Sequence, residues 1–378
     1  LNIAPHATKS VNIPVSDALA NSKFAGKELT LLVEYNQAGS RIAHQQFVLR
    51  EYKYPTMVPE SVEGQPQAKV GDHMSFLTVE LGGTKMTVDK RSGFISYLDV
   101  DGEPMLREGV GITPDFWRAA TDNDHGAGMQ RSMRGWMNPM YRLVKLDKAQ
   151  DGANYVVTAE INVTVAQQAN ARRPRQQGNA QEQQTAPVTP KLILTYTLCP
   201  DGKLVIKEKM EVDEKNNLPQ MLRYGMKLDM PQQYDRIEFY GNGPQENYID
   251  RKGFAVLDVY KQKVADQYYG YIRPQESGNK TDVRWWKVVS ASGKGLKFFS
   301  SEPMECQTLN FTEEDLDPSS EKANRHSGDL TPRPFSCVHI AQREMGIGCV
   351  NSWGAWPRRE YQMPVKNYEF TFVVEPMN

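Results

Sequence analysis

The sequence lacks the residue spacings that normally mark a metal site or a disulfide framework. Its four cysteines, Cys199, Cys306, Cys337 and Cys349, lie far apart with no CxxC pair, and its six histidines form no HExxH motif. Because zinc sites use such spacings, we predict no metal site in this chain. The cysteines are typical of buried apolar side chains, and a periplasmic disulfide is the alternative.

Long apolar runs and an excess of one charge are also missing. No run approaches the roughly 18 to 20 residues that cross a bilayer, so we predict no membrane partner. The 45 Lys and Arg residues balance 46 Asp and Glu residues without a basic stripe, so we predict no nucleic-acid partner. The chain opens with Leu1-Asn2-Ile3, so we expect an excised or processed end, and the cellular location is unknown from it.

The length of 378 residues predicts one small and one large unit, because single cores stop growing at roughly 250 to 300 residues. Within residues 1–53, KSVNIPV, ELTLLVEYNQ and AHQQFVLREY alternate apolar and polar residues, as strands do. So few strands cannot close a sandwich, and we interpret them as the C-terminal part of an immunoglobulin-like β-sandwich. Residues 54–75 are rich in proline and glycine and are predicted to be a linker.

Residues 76–378 continue as short strands separated by Gly-Gly, Ser-Gly and Asp-Gly turns, which predicts an all-β, antiparallel domain. Long helical periodicities are missing, which excludes a parallel α/β sheet or a TIM barrel here. Residues 166–190 are rich in Gln, Asn and Pro and are predicted to form a long loop, with an arginine-based binding arm as the alternative. Strands are predicted at 154–165, 192–213, 222–240, 281–300, 335–350 and 367–375.

Four stretches place Asp, Asn or Glu beside glycine and aromatic residues: FWRAATDNDHGAG, YGNGPQENYIDRKG, YIRPQESGNKTDVRWW and GIGCVNSWGAWP. Loops of this composition gather at one rim of a β-sandwich and often carry function. The alternative is a structural role in turns or ion pairs. That alternative applies to Asp122, Asn123, Asp124, Glu246, Asn247, Arg118, Arg251 and Arg284.

A carbohydrate site uses all of these residue types, since sugars offer hydroxyls to polar groups and an apolar face to aromatic rings. Trp353, between Ser352 and Gly354, is predicted to be an exposed platform, and Trp356 is a second candidate. A retaining glycosidase needs two carboxyl groups about 5 to 5.5 Å apart, and no segment marks such a pair or a GxSxG nucleophile elbow. We therefore assign no catalytic residue to this chain.

The ordered series FWRAATDNDHG, GNGPQENYIDR, YIRPQESGNKTDVRW and MGIGCVNSW resembles the C-terminal small-chain domain of the multidomain β-galactosidases of glycoside hydrolase family 2. Residues 1–53 resemble the end of the immunoglobulin-like domain that precedes it there. The resemblance implies an antiparallel super-sandwich similar to galactose mutarotase for residues 76–378. It also implies the C-terminal portion of an enzyme that hydrolyses terminal β-D-galactose residues.

In that family the catalytic glutamates and the active-site magnesium and sodium ions belong to a TIM barrel, which would lie upstream of Leu1. The resemblance therefore implies no cofactor in this chain and inactivity in isolation. It implies a β-galactoside substrate and a homo-oligomeric parent, with the barrel as partner in the same protein or in a large subunit.

Carried over by motif, Trp353 stacks against the aglycone, and a mobile loop beside the active site begins at Gly126, Ala127, Gly128 and Met129. The other expected substrate-binding residues are Trp356, Asp122, Asn123, Asp124 and His125. The motif residues for which a structural role is equally open are Glu246, Asn247, Glu276, Asn279 and Arg284.

The family commonly has proline at the position of Ala120, an aliphatic residue at that of His125, and a small or prolyl residue after its tryptophan. We therefore expect loop closure and aglycone preference to differ here. Two other functions stay open. One is a stand-alone carbohydrate-binding module, and the other is an aldose 1-epimerase with His326, His339 and Glu276 as acid and base candidates.

Overall fold

The structure is a computed structural model that describes residues 3–59, 64, 66–166, 188–213, 215–317, 325–348, 351 and 354–377. It divides into two compact units, Leu1–Pro55 and Thr56–Asn378. The predicted loop at 166–190 lies almost wholly outside the described residues, and so does Trp353. No helix in the described ranges is long and apolar enough to cross a membrane.

The first unit contains one β-hairpin, β1 (Leu29–Gln37) and β2 (Ser40–Arg50), and the short helix α1 (Ser16–Ala20). Ala38 and Gly39 between the strands have φ values of 49° and 82°, as a two-residue turn of primed type requires. Two of the three strands predicted for residues 1–53 are therefore confirmed. The immunoglobulin-like assignment itself stays a prediction.

The strand predicted for KSVNIPV is wrong, because residues 9–15 have no regular structure. Pro14 lacks a backbone donor, and the two strands described in this unit are already paired with each other. Apolar side chains of the hairpin are exposed, Leu32 to 38%, Phe47 to 42% and Ile42 to 65%. The hairpin of the first unit thus presents apolar surface.

The second unit is built from antiparallel sheets of five and twelve strands in the described residues. The five-stranded sheet runs β3 (Lys69–Asp72), β4 (Phe76–Leu81), β5 (Thr84–Asp89), β6 (Ile95–Val100) and β7 (Glu103–Pro104). The main path of the larger sheet runs β15 (Val256–Lys263), β14 (Arg236–Gly243), β16 (Lys280–Val289), β17 (Gly295–Leu309), β19 (Tyr368–Met377), β12 (Leu204–Glu211), β11 (Lys191–Leu198), β10 (Asn154–Thr164) and β9 (Met140–Asp151). A branch from β17 continues through β18 (Phe335–Glu344), β13 (Arg223–Pro231) and β8 (Thr113–Asp115).

Strand β17 makes this branch possible by changing partners along its length. Its residues 295–300 pair with β19, whereas residues 305–309 pair with β18. One large hydrophobic cluster draws side chains from both sheets, for example Val79 and Val88 from the smaller and Ile161 and Leu194 from the larger. The second unit is therefore a sandwich around a shared core, and every segment predicted as strand in residues 76–378 contains one.

The prediction missed the three-residue strand β8 and the longer strands β3, β9 and β15. Strand β3 lies inside the segment predicted as a linker and pairs at the edge of the five-stranded sheet. Strands β9 and β15 are the two ends of the main path, and their side chains are mostly exposed. An edge strand that faces solvent carries little apolar alternation, so the sequence signal there is weak.

Strand β13 has one apolar and one charged face. Tyr224, Met226, Leu228 and Met230 are buried in the core, whereas Arg223, Lys227 and Asp229 alternate with them on the opposite face. The register places Lys227 beside Thr113 of β8 and His339 of β18, and Gln307 of β17 follows next to His339. A row of polar side chains therefore crosses four strands, and we call this surface the polar face.

Candidate functional site

The motif TDNDHG forms the helix α2 (Asp122–Ala127), and its first turn explains why Asp124 is buried. The Thr121 hydroxyl accepts from the backbone N–H of Asp124, and the Asp124 carboxylate accepts from the N–H of Thr121. This is a capping box. The same carboxylate accepts from Arg118 Nη1 at 2.5 Å with both side chains fully buried. Asp124 and Arg118 therefore hold the loop, while Asp122 and Asn123 face outward.

The remaining residues predicted for the active-site loop take ordinary helix-end positions. Gly126 and Ala127 end α2, and Gly128 caps it in the left-handed conformation with a φ of 74°. Met129 begins the helix α3 (Met129–Ser132) and is fully buried in the core. His125 Nε2 lies 3.9 Å from the buried carboxylate of Asp317. A role of these residues in loop closure stays a prediction.

Asn247 and Asn279 form a hydrogen-bonded scaffold. Asn247 donates from Nδ2 to the carbonyl oxygens of Asn242 and Gln245, and its Oδ1 accepts from the backbone and hydroxyl of Thr281. Asn279 Nδ2 donates to the Asn247 carbonyl and to Glu305. Both amides are satisfied inside the protein, which supports the structural alternative for these two residues.

The contacts of Arg284 also support a structural role. Its side chain is largely buried, donates to the carbonyl oxygen of Asp282 at 2.8 Å and lies over the Tyr240 ring.

A cleft of about 270 Å³ lies where all four motif stretches meet. It is lined by Thr121, Asp122, Asn123, Arg251, Tyr271, Gln275, Glu276, Ile347 and Gly348. We call it the rim cleft. The described residues of the structure thus bring together Asp122, Asn123 and Glu276 from the predicted set and add others that we did not predict.

Long-range hydrogen bonds fix the walls of the rim cleft. Gln275 accepts from the backbone N–H of Asp122 at 3.1 Å and donates to its carboxylate at 3.2 Å. Asp250 accepts from the backbone N–H groups of Ile347 and Gly348 at 3.2 and 2.8 Å. The cleft is therefore formed before any ligand arrives, which is how binding sites reduce the entropic cost of association.

Arg251, Tyr271 and Glu246 form a charged triad at one wall. Glu246 accepts from Arg251 Nη2 at 2.5 Å, from the Tyr271 hydroxyl, and from the backbone N–H of Gly278 at 2.8 Å. Burial, followed by the hydrogen bond to Glu246, raises the pKa of Tyr271 to about 12. The Arg251 side chain is 40% exposed, so this triad offers a guanidinium and a phenol that stay protonated at neutral pH.

Behind the cleft, Glu276 is one of several buried carboxylates held by two arginines of the polar face. Arg223 contacts Glu344 at 3.0 Å, Glu276 at 3.6 Å and Glu313 at 3.2 Å, while Arg118 contacts Glu344 at 3.2 Å. Burial raises the pKa of Glu276, as does the nearby Glu344 charge, against the opposing effect of Arg223.

A bulge places Glu344 on this face, because the β13–β18 register shifts between Tyr224 and Gly225.

The carboxylates of Asp115 and Glu313 and the imidazole of His339 could in principle chelate a metal ion, since their ligand atoms lie within 4.8 Å of one another. Arg223 already occupies that position. Its Nη1 lies 2.9 Å from Asp115, 3.2 Å from Glu313 and 2.9 Å from His339 Nδ1. A guanidinium is a permanent cation, so a metal ion would have to displace it.

Of the two tryptophans predicted to bind substrate, the structure describes only Trp356. Trp353 lies outside the described residues, so its stacking role stays a prediction. Trp356 is half-buried and packs against the hydrophobic core. Gly354, with a φ of 100°, lies so close to α2 that a Cβ atom there would be 3.0 Å from the carbonyl oxygen of Gly126. The C-terminal motif therefore approaches the end of α2 in the described structure.

The epimerase candidates do not share one cavity. His326 is exposed and lies 3.9 Å from Asp329. His339 is buried, and its Nδ1 contacts Asp115 at 2.7 Å, whereas Glu276 lines the rim cleft. An acid and a base must face the same sugar, so this geometry does not favour epimerase chemistry between these residues.

Sequence reasoning missed Arg251, Tyr271 and Gln275 as cleft residues, although all three lie in the stretches that it singled out. The signal for Tyr271 was the aromatic run YYGY at 268–271, which is unusual for a surface loop. It also missed the polar face, whose signal is the strict alternation in RYGMKLDM at 223–230.

Some solved structures are similar to this chain at low sequence identity and with TM-scores below 0.5. They include a galactose 1-epimerase from Lactobacillus acidophilus, with a TM-score of 0.41 and 10% identity over 92% of this chain and 98% of that one. A galactose mutarotase related enzyme from the same organism gives a TM-score of 0.42 and 7% identity over 80% of this chain and 97% of that one. The predicted all-β, antiparallel fold class is confirmed by the sheets of the second unit themselves.

Sequence relatives are more specific. A β-galactosidase from Priestia megaterium is 29% identical to this chain, in an alignment that covers 100% of this chain and 34% of the relative. One from Halalkalibacterium halodurans is also 29% identical, over 75% of this chain and 26% of the relative. The chain therefore spans about a third of the length of these relatives. The family model described as β-galactosidase small chain matches residues 80–374. That match covers most of the second unit, and the chain belongs to the β-galactosidase small-chain family.

Proposed function

We propose that this chain is the C-terminal part of a β-galactosidase that hydrolyses terminal β-D-galactose residues, and that it completes the aglycone side of the active site. The observation that supports this most directly is the rim cleft, where TDND, ENYIDR and YIRPQES converge. The chain length supports it as well, since about two thirds of the Priestia megaterium β-galactosidase lies outside the part that this chain matches.

In this proposal the rim cleft binds the leaving group. Arg251 donates to a sugar hydroxyl, and the Tyr271 hydroxyl, which donates to Glu246, accepts from another. Asp122 accepts from a further hydroxyl while Gln275 holds it in place. Sites that recognise hydroxyls use such fixed polar groups, because an unpaired partner is costly once water is excluded. Trp353 supplies the stacking surface, and α2 with the segment after it borders the site.

The chemistry itself belongs, by the same proposal, to an upstream barrel that carries a retaining pair of glutamates. The magnesium and sodium ions of the family belong there too. The described residues of this chain do not fit a catalytic metal, since Arg223 fills the one cluster of carboxylates and imidazole that could hold one. What this chain contributes is binding, orientation and exclusion of water.

The first test is hydrolysis of a chromogenic β-galactoside by the chain alone, by a separately produced upstream portion, and by their mixture. We expect turnover only in the mixture. Turnover by the chain alone would show that a carboxylate pair acts within these loops, and it would overturn the assignment of the chemistry to a missing barrel. Glycan binding by the chain without any complementation would favour a stand-alone carbohydrate-binding module.

The second test places substitutions in the full-length parent. Arg251→Met is expected to lower kcat/KM for lactose roughly tenfold through loss of one charge-assisted hydrogen bond, with a smaller effect on an aryl galactoside. Arg273→Met is the matched control, because Arg273 is exposed two residues beyond Tyr271 and does not line the cleft.

Trp353→Ala should likewise impair lactose more than the aryl substrate. Equal losses for both substrates with every variant would argue against an aglycone role.

A further inference from the structure

A second cavity lies on the polar face, away from the rim cleft. Its volume is about 230 Å³, and no residue lines both cavities. Its walls come from the loop before β8, from β13, from β18 and from the first turn of the helix α4 (Glu313–Leu316). The lining residues are Arg107, Val110, Gly111, Thr113, Lys227, Leu228, Asp229, Thr312, Glu313, Glu314, Cys337 and His339.

The register of the sheet explains why polar groups converge here. Thr113, Lys227 and His339 lie side by side on three neighbouring strands, and Asp229 and Cys337 form the next pair on the same face. Two residues along a strand return to the same side of a sheet, so all five side chains belong to one wall. The cavity is therefore a consequence of the pattern of β8, β13 and β18.

The charges that line the cavity are already paired. Arg107 Nη2 donates to Asp229 at 2.7 Å, and Lys227 donates to Glu313 at 2.5 Å. Glu314 adds one further carboxylate, so the lining is slightly acidic. An anionic ligand would meet three carboxylates, and a cationic ligand would compete with two bases that are held in place. A neutral ligand avoids both costs.

His339 gives the cavity a hydrogen-bonding group suited to hydroxyls. Its Nδ1 is engaged by Asp115 at 2.7 Å and by Arg223 at 2.9 Å, which leaves Nε2 for a ligand. Burial, followed by the charge of Arg223, lowers the pKa of His339, so the ring is neutral. In either neutral tautomer Nε2 can bond a hydroxyl, because a hydroxyl both donates and accepts.

Size and apolar contacts narrow the ligand further. Val110 supplies apolar surface, and the guanidinium of Arg107 covers the Phe335 ring at 4.0 Å. The volume is below the roughly 300 to 1,000 Å³ of clefts that hold drug-sized ligands, which limits the occupant to about one sugar ring.

We propose that this cavity binds a single neutral aldohexose through His339 and the paired side chains of the polar face, as a site separate from the rim cleft.

The test is saturation-transfer NMR and calorimetry of the purified chain with D-galactose and D-glucose, with galacturonate and galactosamine as charged probes. We expect saturation transfer from a neutral hexose and at least tenfold weaker binding of galacturonate. Val110→Trp should fill the cavity and abolish transfer, whereas Glu108→Trp, an exposed position on the same loop that does not line the cavity, should leave it unchanged. Circular dichroism and the thermal midpoint establish that each variant is folded.

A second variant tests the role of the His339 imidazole by replacing it with another polar side chain. His339→Asn keeps a donor for Asp115 and removes Nε2, so affinity should fall roughly five- to tenfold, the effect of one lost hydrogen bond. Arg251→Met, in the rim cleft, should have no effect on this binding.

Transfer that survives Val110→Trp but is lost with Arg251→Met would place the hexose in the rim cleft and overturn the proposal. So would preference for galactosamine, or the absence of transfer from every sugar. None of these outcomes bears on β-galactosidase complementation, so the two proposals can fail separately.

Discussion

Glu208 of β12 carries a carboxyl group that is buried in the core. The side chain is 0% exposed, and neither carboxyl oxygen has a hydrogen-bond partner in the described part of the chain. Burial raises its pKa well above the ordinary value of 4.5, and the charge of Asp115 adds to the effect. The folded protein therefore keeps this carboxyl protonated at pH values at which the unfolded chain already ionises it.

The sign of the resulting pH dependence follows from proton linkage. Above the unfolded pKa near 4.5 the folded state binds one proton more than the unfolded state, so stability falls as pH rises. The slope is at most about 1.4 kcal/mol per pH unit, which amounts to at most about 3 kcal/mol between pH 5 and pH 7. The contribution is complete below the unfolded pKa and is lost progressively above it.

Glu208→Gln removes this titration without changing the side-chain size. We expect the stability of the variant relative to the parent chain to rise by up to about 3 kcal/mol between pH 5 and pH 7, and the two to respond alike below pH 4. Urea unfolding from pH 4 to pH 8 measures this by tryptophan fluorescence. All six tryptophans lie in the second unit, so the signal reports the domain that contains Glu208.

Glu211→Gln is the matched control, because Glu211 is on the same strand, has a side chain that is 41% exposed, and is paired with Lys209. A stability difference between parent and Glu208→Gln that stays constant across this pH range would refute the reasoning.

Three further perturbations address the sheet and the polar face. Lys280 is buried and donates to Gln267 Oε1 and the Gly278 carbonyl, and burial lowers its pKa to about 8 against the opposing charge of Glu246. The stability of the parent relative to Lys280→Met should therefore rise by up to about 3 kcal/mol from pH 8 to pH 10.5. A stability difference that does not change with pH would contradict this. Gly225→Ala would set a Cβ 2.3 Å from the Ile340 carbonyl oxygen and should cost about 1 to 3 kcal/mol in thermal unfolding, whereas Gly253→Ala, with open space around it, should not. Arg223→Met leaves buried carboxylates unpaired and should cost about 3 to 5 kcal/mol in denaturant unfolding, so a loss below 1 kcal/mol would show that those carboxyls are already neutral.

The sequence predicts those strands whose two faces differ most in polarity. In β11, Leu192, Leu194, Tyr196 and Leu198 are buried while the intervening residues are partly exposed, and the strand is plain from KLILTYTL alone. The edge strand β9 has no such contrast and was missed. Helix α2 was expected as turns, yet the spacing of Thr121 and Asp124 is that of a capping box and could have indicated a helix start.

The rim cleft was only partly predictable, because its walls depend on contacts between distant residues. Asp250 holds the N–H of Gly348, which lies 98 positions along the chain, and Gln275 holds Asp122 at a separation of 153. Composition placed polar residues in the right stretches, but nothing in a local pattern specifies which stretches meet. Trp356 illustrates the same limit, since its position before Pro357 left exposure and burial equally open and the structure packs it against the core.

The polar face joins the two cavities and the loops around them. Arg118 and Asp124 come from the segment that leads into α2, Glu276 from the loop before β16, and Glu313 from α4, yet all lie around the guanidinium groups of Arg118 and Arg223. A buried ionic cluster is weak evidence for stability, because desolvation offsets most of the attraction. Its geometric effect is larger, since each carboxylate must return to one position to be paired. The cluster therefore fixes three loops relative to one sheet, and substitution of Arg223 should disturb the rim cleft and the second cavity together, whereas substitution of a lining residue such as Arg251 should disturb only its own.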